Sequence, residues 1–409
     1  MSKPLQEAYI VAATRTPVGR AHRGCFKNTR PDDLLIAALR GALAQIPALD
    51  PAAINDAIIG CAFPEGEQGM NMARIAVALA GLPHSVGGVT VNRFCASGLT
   101  AIQMAADRIR VGEAEVMIAG GAESMSLVPM GGARPSFNPL IFSQNDNLGI
   151  AYGMGLTAEK VAQQWKISRE DQDEFAYQSH MKAIKAQQAG EFNQEITPVE
   201  VLDRFPDFAT GAAASRSSVV HLDEGPRADT CLESLAKLKP VFAAPKSPTG
   251  QATGMGSVTA GNSSQTSDAA SALILASEKA IQQFNLKPLA RFVSFANRGV
   301  RPEIMGIGPV EAIPAALRLA GLQAAQLDWI ELNEAFAAQS LAVLSSLNLD
   351  RSKVNPLGGA IALGHPLGAT GAIRVTTLVH ALQRHRLQYG MVTLCVGTGQ
   401  GAAGIFERV

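Results

Sequence analysis

Two separate stretches of the chain are written on one plan. The first reads VTVNRFCASG, a helical pattern, then EVMIAGGAES; the second reads KVNPLGGAIALGHPLGATG, a helical pattern, then YGMVTLCVGTGQG. Each gives a Val-Asn pair, small residues, an apolar helical face, and a buried strand that runs out into glycines. A chain written twice in this way predicts two similar α/β halves that pair pseudo-symmetrically, with loops from both meeting at one cleft. The 409 residues, 47% of them hydrophobic, suffice for a core in each half.

Short β-branched runs alternate with helical patterns in the first and last thirds, which predicts sheets covered by helices. AYIVAA (8–13), AIIGCAF, GGVTVN and EVMIAGG (115–121) read as strands of the first half, and ARFVSFA, DWIELN and MVTLCVGTGQGA as strands of the second. Asp32 and Asp33 precede the stripe Leu35, Leu39, Leu43 and Ile46, a helix with acidic residues at its positive end. From about residue 125 the texture turns to Pro, Gly and Asn. Helices are expected near 157–165 and 169–189, the second opened by a capping box from Ser168 to Asp171. The run PKSPTGQATGMGSVTAGNSS closes this region at about 264. The expected division is 1–124 with 255–285 as the first half, 125–254 as an inserted loop domain facing a ligand, and 286–409 as the second half.

Several function classes drop out. With 35 Lys+Arg against 35 Asp+Glu, the formal net charge of +0 supplies no field to recruit nucleic acid or an anionic membrane. No apolar run is long enough for a signal peptide or a membrane span, so a soluble, cytoplasmic protein is expected. The five cysteines, Cys25, Cys61, Cys95, Cys231 and Cys395, show no C-x-x-C pair and no clustered His of the kind zinc uses, and are expected to be reduced thiols.

Five residues at four places in the chain combine chemistry with a suggestive setting, and each place also has an ordinary structural reading. Cys95 stands where a strand gives way to a helix; the positive end of that helix favours thiolate there, although a lone Cys among apolar residues is commonly a small buried hydrophobe. His365 lies between Gly364 and Pro366 in a glycine-rich segment expected to be irregular, which can aim an imidazole into a cleft or leave it at the surface. Cys395 precedes VGTGQG, whose unobstructed N–H groups suit an oxyanion cradle, or packs in a strand. Asn333 and Glu334 end a strand, where polar residues also cap the next helix.

Taken together, NRFCASGL, GNSS, NEAF, GGAIALGHPLG and CVGTGQG, in this order, resemble the thiolase family of acyl-CoA C-acyltransferases along essentially the whole chain. The resemblance implies a layered αβαβα fold of two similar βαβαβ-type halves with an inserted loop domain. It implies CoA-dependent cleavage of 3-ketoacyl-CoA and the reverse condensation, through an acyl thioester on Cys95. His365 would take the proton from Cys95 or from CoA, and Cys395 would protonate the acetyl-CoA α-carbon. Asn333 would hold a water that, with His365, stabilises the enolate, and the N–H groups of Cys95 and Gly397 would form a second oxyanion site. Ser264 would contact the pantetheine arm of CoA, a co-substrate, with no permanently bound cofactor and no metal. A homodimer or homotetramer, and association with a hydratase/dehydrogenase subunit, are further expectations of the resemblance.

Three departures from the family's pattern stand out: the first bears on the subtype, the second on helix packing and the third on the fit around the CoA arm. Gly153 precedes Met154 where biosynthetic acetoacetyl-CoA thiolases typically carry His, which, with GNSSQTSD and EIMGIGP, resembles the degradative 3-ketoacyl-CoA type of fatty-acid β-oxidation. Ile373 precedes Arg374 where many relatives place Arg directly after Gly-Ala, and PTGQATGMGSVTAGN is long. The alternatives are an acetoacetyl-CoA-specific biosynthetic enzyme, a decarboxylating ketoacyl synthase, against which the second cysteine of CVGTGQG speaks, and a silent acyl-CoA or lipid-binding protein. Iodoacetamide is expected to fall first on Cys95 or Cys395.

Overall fold

The computed structural model describes residues 5–242 and 256–409. The first part of the chain forms strands β1 (Ala8–Arg15), β2 (Gly19–Arg20), β3 (Asp56–Gly60), β4 (Val89–Val91) and β5 (Val116–Ser124), with helices α1 (Pro31–Ala44), α2 (Met72–Leu79) and α3 (Ser97–Arg110). The middle supplies α4 (Met154–Gln164), α5 (Arg169–Gln188), a hairpin of β6 (Val199–Asp207) and β7 (Ala212–Val220), and α6 (Leu232–Ala236). The chain returns through β8 (Ser267–Ser277) and α7 (Glu278–Phe284). It ends with β9 (Ala290–Gly299), α8 (Gly308–Ala320), β10 (Trp329–Leu332), α9 (Ala337–Leu347), α10 (Ala360–Leu363), α11 (Leu367–Arg384), β11 (Tyr389–Val396) and β12 (Gln400–Arg408).

The written duplication is a duplication of topology. Strand order is β10-β11-β12-β9-β1-β8-β5-β3-β4. From one end, β4 pairs parallel with β3, β3 parallel with β5, β5 antiparallel with β8, and β8 antiparallel with β1. From the other, Val354 bridges parallel to β10, β10 runs parallel to β11, and β11, β12 and β9 continue antiparallel. The halves meet where β1 and β9 pair antiparallel, at Tyr9–Arg291 and Ile10–Ala290.

Three apolar seams make the layers. On the outside of the first half, Leu34, Leu35 and Leu39 of α1 and Val77 of α2 pack on Val11, Ile59, Val116 and Ile118. The alternate strand residues, Ile10, Ala13, Met117 and Ala119, face a central seam with Leu99 and Ile102 of α3 and Val375 and Leu378 of α11. Outside the second half, Ile313 and Ala316 of α8 and Val343 of α9 cover Ile330, Met391 and Ile405. The result is α, β, α, β, α. Helix α11 is buried from Leu367 to Leu382, and its enclosed polar side chains find partners, Thr376 on Ser271, Thr377 on Glu195 and His380 on the Ala13 carbonyl. α3 and α11 cross in near contact: a Cβ on Gly98 would stand 2.7 Å from Ala372 N, and one on Gly371 would stand 2.4 Å from Leu99 N. Only glycine fits at either point.

The structure revises several expectations. The helices expected near 157–165 and 169–189 run Met154–Gln164 and Arg169–Gln188. Ser168 caps the second by accepting from Asp171 N–H, while Asp171 bonds back to the Ser168 hydroxyl. SDAASALILAS, an Ala-rich run without strand alternation, is strand β8, buried at every position because both of its faces are covered. The glycines after Cys395 turn the chain into β12, and the segment before His365 contains the short helix α10, where no regular structure was expected. Residues 248–255 of the long PTGQATGMGSVTAGN run, and with them the expected border at 254, lie outside the described residues.

Candidate active site

The turn that carries Cys95 is built by its own neighbours. Asn92 Oδ1 accepts the Phe94 N–H at 2.7 Å, and Ser97 Oγ accepts the Arg93 N–H at 2.9 Å while donating to the Phe94 carbonyl at 2.6 Å. These bonds hold Phe94 at φ 42°, a left-handed conformation costly for an aromatic residue, and set Cys95 in a 3-10 turn before α3. Gly397, from the loop after β11, packs on this turn: a Cβ there would lie 3.6 Å from the Phe94 ring. Burial pushes the Cys95 thiol up to about 12, and only in part do the N–H groups of Gly397 and of Cys95 itself pull it back down. The helix-start argument for a standing thiolate is therefore corrected. The helix end contributes, but desolvation outweighs it, and the resting thiol keeps its proton.

His365 sits between α10 and α11 with its N–H donating to Gln265 O at 3.0 Å and to Ser267 Oγ at 3.2 Å. Its Nε2 lies 3.4 Å from Asn333 Nδ2. An amide nitrogen can only donate, so Nε2 is the unprotonated nitrogen and Nδ1–H donates to Thr370 Oγ1 at 2.7 Å. Burial, and then the charge of Arg374, hold this imidazole down to about 3, so it rests as a neutral base. Asn333 is anchored by its own N–H to Thr393 O at 2.9 Å, and its Oδ1, buried, has no hydrogen-bond partner among the described residues. Cys395 is buried on β11 and packs with Met305 and Ala335. Burial first, and the neighbouring Cys95 second, push its thiol up.

Two carboxylates and a threonine hold this arrangement. Glu334 does not cap α9; it accepts from Ser179 Oγ at 2.6 Å, Asn355 Nδ2 at 2.8 Å and Ile361 N–H at 3.2 Å, fixing α10 in front of His365. Glu123, at the end of β5, accepts from the N–H groups of Ala62 at 2.7 Å and Gly368 at 2.8 Å and from Gln68. It thus ties the first half to the first turn of α11. Its carboxyl is pushed up to about 7 by burial. Sequence reasoning passed over Glu123 and Thr370; the available signal was an acid closing the apolar run VMIAGGAES. The transposed pair is absorbed without disturbance, Ile373 packing on Val18, Ala269 and Ala369 and buried Arg374 reaching Glu331 at 3.4 Å.

One cleft opens on Cys95, and a second lies beside Gln265, whose carbonyl accepts the His365 N–H. The first, of about 380 Å³, contains Cys95, Phe94, Leu367 and Gly397 and continues between Met130, Phe137 and Tyr152. The other, of about 470 Å³, is lined by Arg20, Arg23, Arg227, His180, Ser263 and Gln265, among others. Ser264 lies between two of these residues with its N–H on Ala335 O at 3.0 Å, but is not itself part of that lining. No group of three His, Cys, Asp or Glu among the described residues could hold a metal ion, and none of the described helices is long and apolar enough to cross a membrane.

Accessibility reorders the expected labelling. Cys231 is exposed, Cys25 half-buried, and Cys61, Cys95 and Cys395 buried. Iodoacetamide is now expected to modify Cys231 without loss of activity and Cys95 more slowly with loss of activity, acetyl-CoA protecting only the latter. Peptide mapping against residual activity checks this.

The chain matches two family models, "Thiolase, N-terminal domain" over residues 8–279 and "Thiolase, C-terminal domain" over 286–408. It is 47% identical to a 3-ketoacyl-CoA thiolase of Bacillus subtilis, covering 98% of this chain and 100% of that one. It is 44% identical to a beta-ketoadipyl-CoA thiolase of Pseudomonas aeruginosa, covering 99% and 100%. Among solved structures it resembles the Bacillus anthracis acetyl-CoA acetyltransferase (TM-score 0.87, 38% identity, full coverage of both chains). It also resembles human mitochondrial 3-ketoacyl-CoA thiolase in complex with CoA (TM-score 0.85, 38% identity, 99% and 98% coverage).

Proposed function

The chain belongs to the thiolase family, and from that premise we propose that it acts as a degradative 3-ketoacyl-CoA thiolase, with Cys95 as the nucleophile. The observation that carries the reading is that one buried thiol, Cys95, receives N–H groups from both halves, its own and that of Gly397, beside a second buried thiol, Cys395.

The chemistry follows from that geometry. Cys95 passes its proton to His365 as its sulfur attacks the 3-keto carbon, and the Cys95 and Gly397 N–H groups receive the oxyanion. The bond between C2 and C3 breaks, its electrons going to C2. Asn333 and His365 hold the enolate oxygen, the former through water bound at its unpartnered amide, while Cys395 gives its proton to C2 and releases acetyl-CoA. CoA then delivers its thiol proton to Cys395, its sulfur displaces Cys95 from the acyl group, and Cys95 recovers its proton from His365. Arg20, Arg23 and Arg227 in the larger cleft suit the phosphates of CoA, with Ser264 beside the pantetheine arm. A homo-oligomer, and association with a hydratase/dehydrogenase subunit, belong to the same proposal.

The biosynthetic alternative is disfavoured by Gly153. This residue lines the Cys95 cleft, and a Cβ there would meet nothing within 4 Å, so the space a larger side chain would take is open to substrate. Thiolysis of a graded series of 3-ketoacyl-CoAs is expected to give kcat/KM rising from the four-carbon substrate upward; activity confined to acetoacetyl-CoA would select the alternative.

Glu123 makes a pH prediction. The ionised carboxylate is the form that accepts from Ala62 and Gly368, so kcat should fall as pH drops through about 7, and Glu123→Gln should lower kcat about tenfold and erase that inflection. A folded value raised above the ordinary 4.5 means that the folded state holds the proton more tightly between pH 4.5 and 7. Over that window wild-type stability relative to Glu123→Gln should therefore rise as pH falls, while the rate declines. Parallel rate profiles and thermal melts separate the two trends.

A further inference from the structure

The relatives include enzymes named for 3-ketoacyl-CoA and for beta-ketoadipyl-CoA, whose substrates differ at the far end of the acyl tail. That difference is chemical, since an adipyl tail ends in a carboxylate. The cleft that opens at Cys95 is where such a tail must lie, because the acyl group is carried on that sulfur. Its walls away from Cys95 are Met130, Pro135, Phe137, Ile150, Tyr152 and Met154, and among the described residues no Lys, Arg or His lines it. Its volume of about 380 Å³ falls among ordinary small-molecule pockets.

The charged groups nearby do not change this. Arg134 belongs to the wall's own loop but is exposed and outside the lining, and Lys160 is held over the Tyr152 ring, 5.5 Å from its centroid. Beside Gly131 of the wall, a Cβ on Gly132 would collide with the Glu65 carboxylate, which places a negative charge against this loop. Met130 and Phe137 are 52% and 49% exposed, apolar surface that an alkyl tail would cover.

We infer that the Cys95 cleft accepts 3-ketoacyl-CoAs whose tail ends in an uncharged alkyl group and rejects those ending in a carboxylate, with Met130 and Phe137 forming the wall that discriminates. The inference rests on the thiolase reading of the site. An alkyl end is desolvated at a gain, whereas a carboxylate end loses its water and meets no cation. Each methylene added should raise kcat/KM about fourfold until the cleft is filled.

3-Ketohexanoyl-CoA and 3-ketoadipyl-CoA differ only in bearing methyl or carboxylate at the sixth carbon, and acetoacetyl-CoA has no tail to reach the wall. The wild-type enzyme is expected to cleave acetoacetyl-CoA and to prefer the hexanoyl over the adipyl substrate by about 100-fold in kcat/KM. Met130→Arg and Phe137→Lys, checked for folding by circular dichroism, should each narrow that ratio at least about tenfold by supplying a cation. An enzyme that cleaves acetoacetyl-CoA but takes the adipyl substrate as well as the hexanoyl one overturns the tail inference and leaves the thiolase reading standing. One that cleaves none of the three overturns the thiolase reading and the inference with it. If both folded variants keep the wild-type ratio, the wall is misplaced and the inference fails.

Discussion

Replacing Cys95 by serine is expected to lower thiolysis by about 10⁴-fold or more while leaving the fold unchanged. Burial holds the thiol near 12, and on the proposed mechanism it becomes a nucleophile by giving its proton to His365, an imidazole that burial keeps neutral. A hydroxyl at the same point is a far weaker acid, so the transfer fails at its first step. The oxygen is smaller than sulfur but fits the same turn, whose bonds run through Asn92, Phe94 and Ser97 and not through the Cys95 side chain. The check is intact-protein mass after incubation with acetyl-CoA, run beside circular dichroism. Cys95→Ser should stay unacylated and folded, and an active serine variant would remove Cys95 from the nucleophile's place.

Cys395→Ala should divide the reaction in two. Acylation of Cys95 by an acyl-CoA donor needs the nucleophile, His365 and the N–H groups of Cys95 and Gly397, but no carbanion, and is expected to survive within about tenfold. Carbon–carbon cleavage, and exchange of the acetyl-CoA α-protons with solvent, should fall by about 10³-fold, within the range that loss of a positioned acid/base costs. His365→Ala should depress both halves. Protein-bound label from acetyl-CoA and deuterium uptake into it, measured separately on each variant, read the two steps. A Cys395→Ala enzyme that cannot be acylated, or a Cys95→Ala enzyme that can, would mean that the roles are reversed.

How far the sequence could be read depended on how local each cause was. The stripe Leu35, Leu39, Leu43 and the buried runs at 8–13 and 115–121 announce their elements because the period of the pattern is the period of the structure. β8 was missed because a strand covered on both faces loses its alternation, and only its neighbours β1 and β5 reveal it. The proposed catalytic set came from the resemblance of its motifs, whereas composition and spacing left Cys95, His365 and Cys395 each with an ordinary reading. The state of the Cys95 thiol was misjudged for a physical reason: the helix end is a local charge effect that sequence displays, and burial is a property of the assembled molecule. Glu123 escaped notice because its partners, the N–H groups of residues 62 and 368 and the Gln68 side chain, all lie far from it along the chain.

The crossing of α3 and α11 at Gly98 and Gly371 also bears on ancestry. Two copies of one folding unit would ordinarily carry two copies of whatever chemistry the unit possessed. Here the crossing brings the corresponding helix starts to one place, Leu367 at the head of α11 lining the same cleft as Cys95 at the head of α3. On the proposed mechanism the two halves have specialised: one carries the sulfur that holds the fragment, and the other the groups that move protons. On that reading neither half alone holds a complete centre, and the crossing that joins the helix starts is what makes the two a single enzyme.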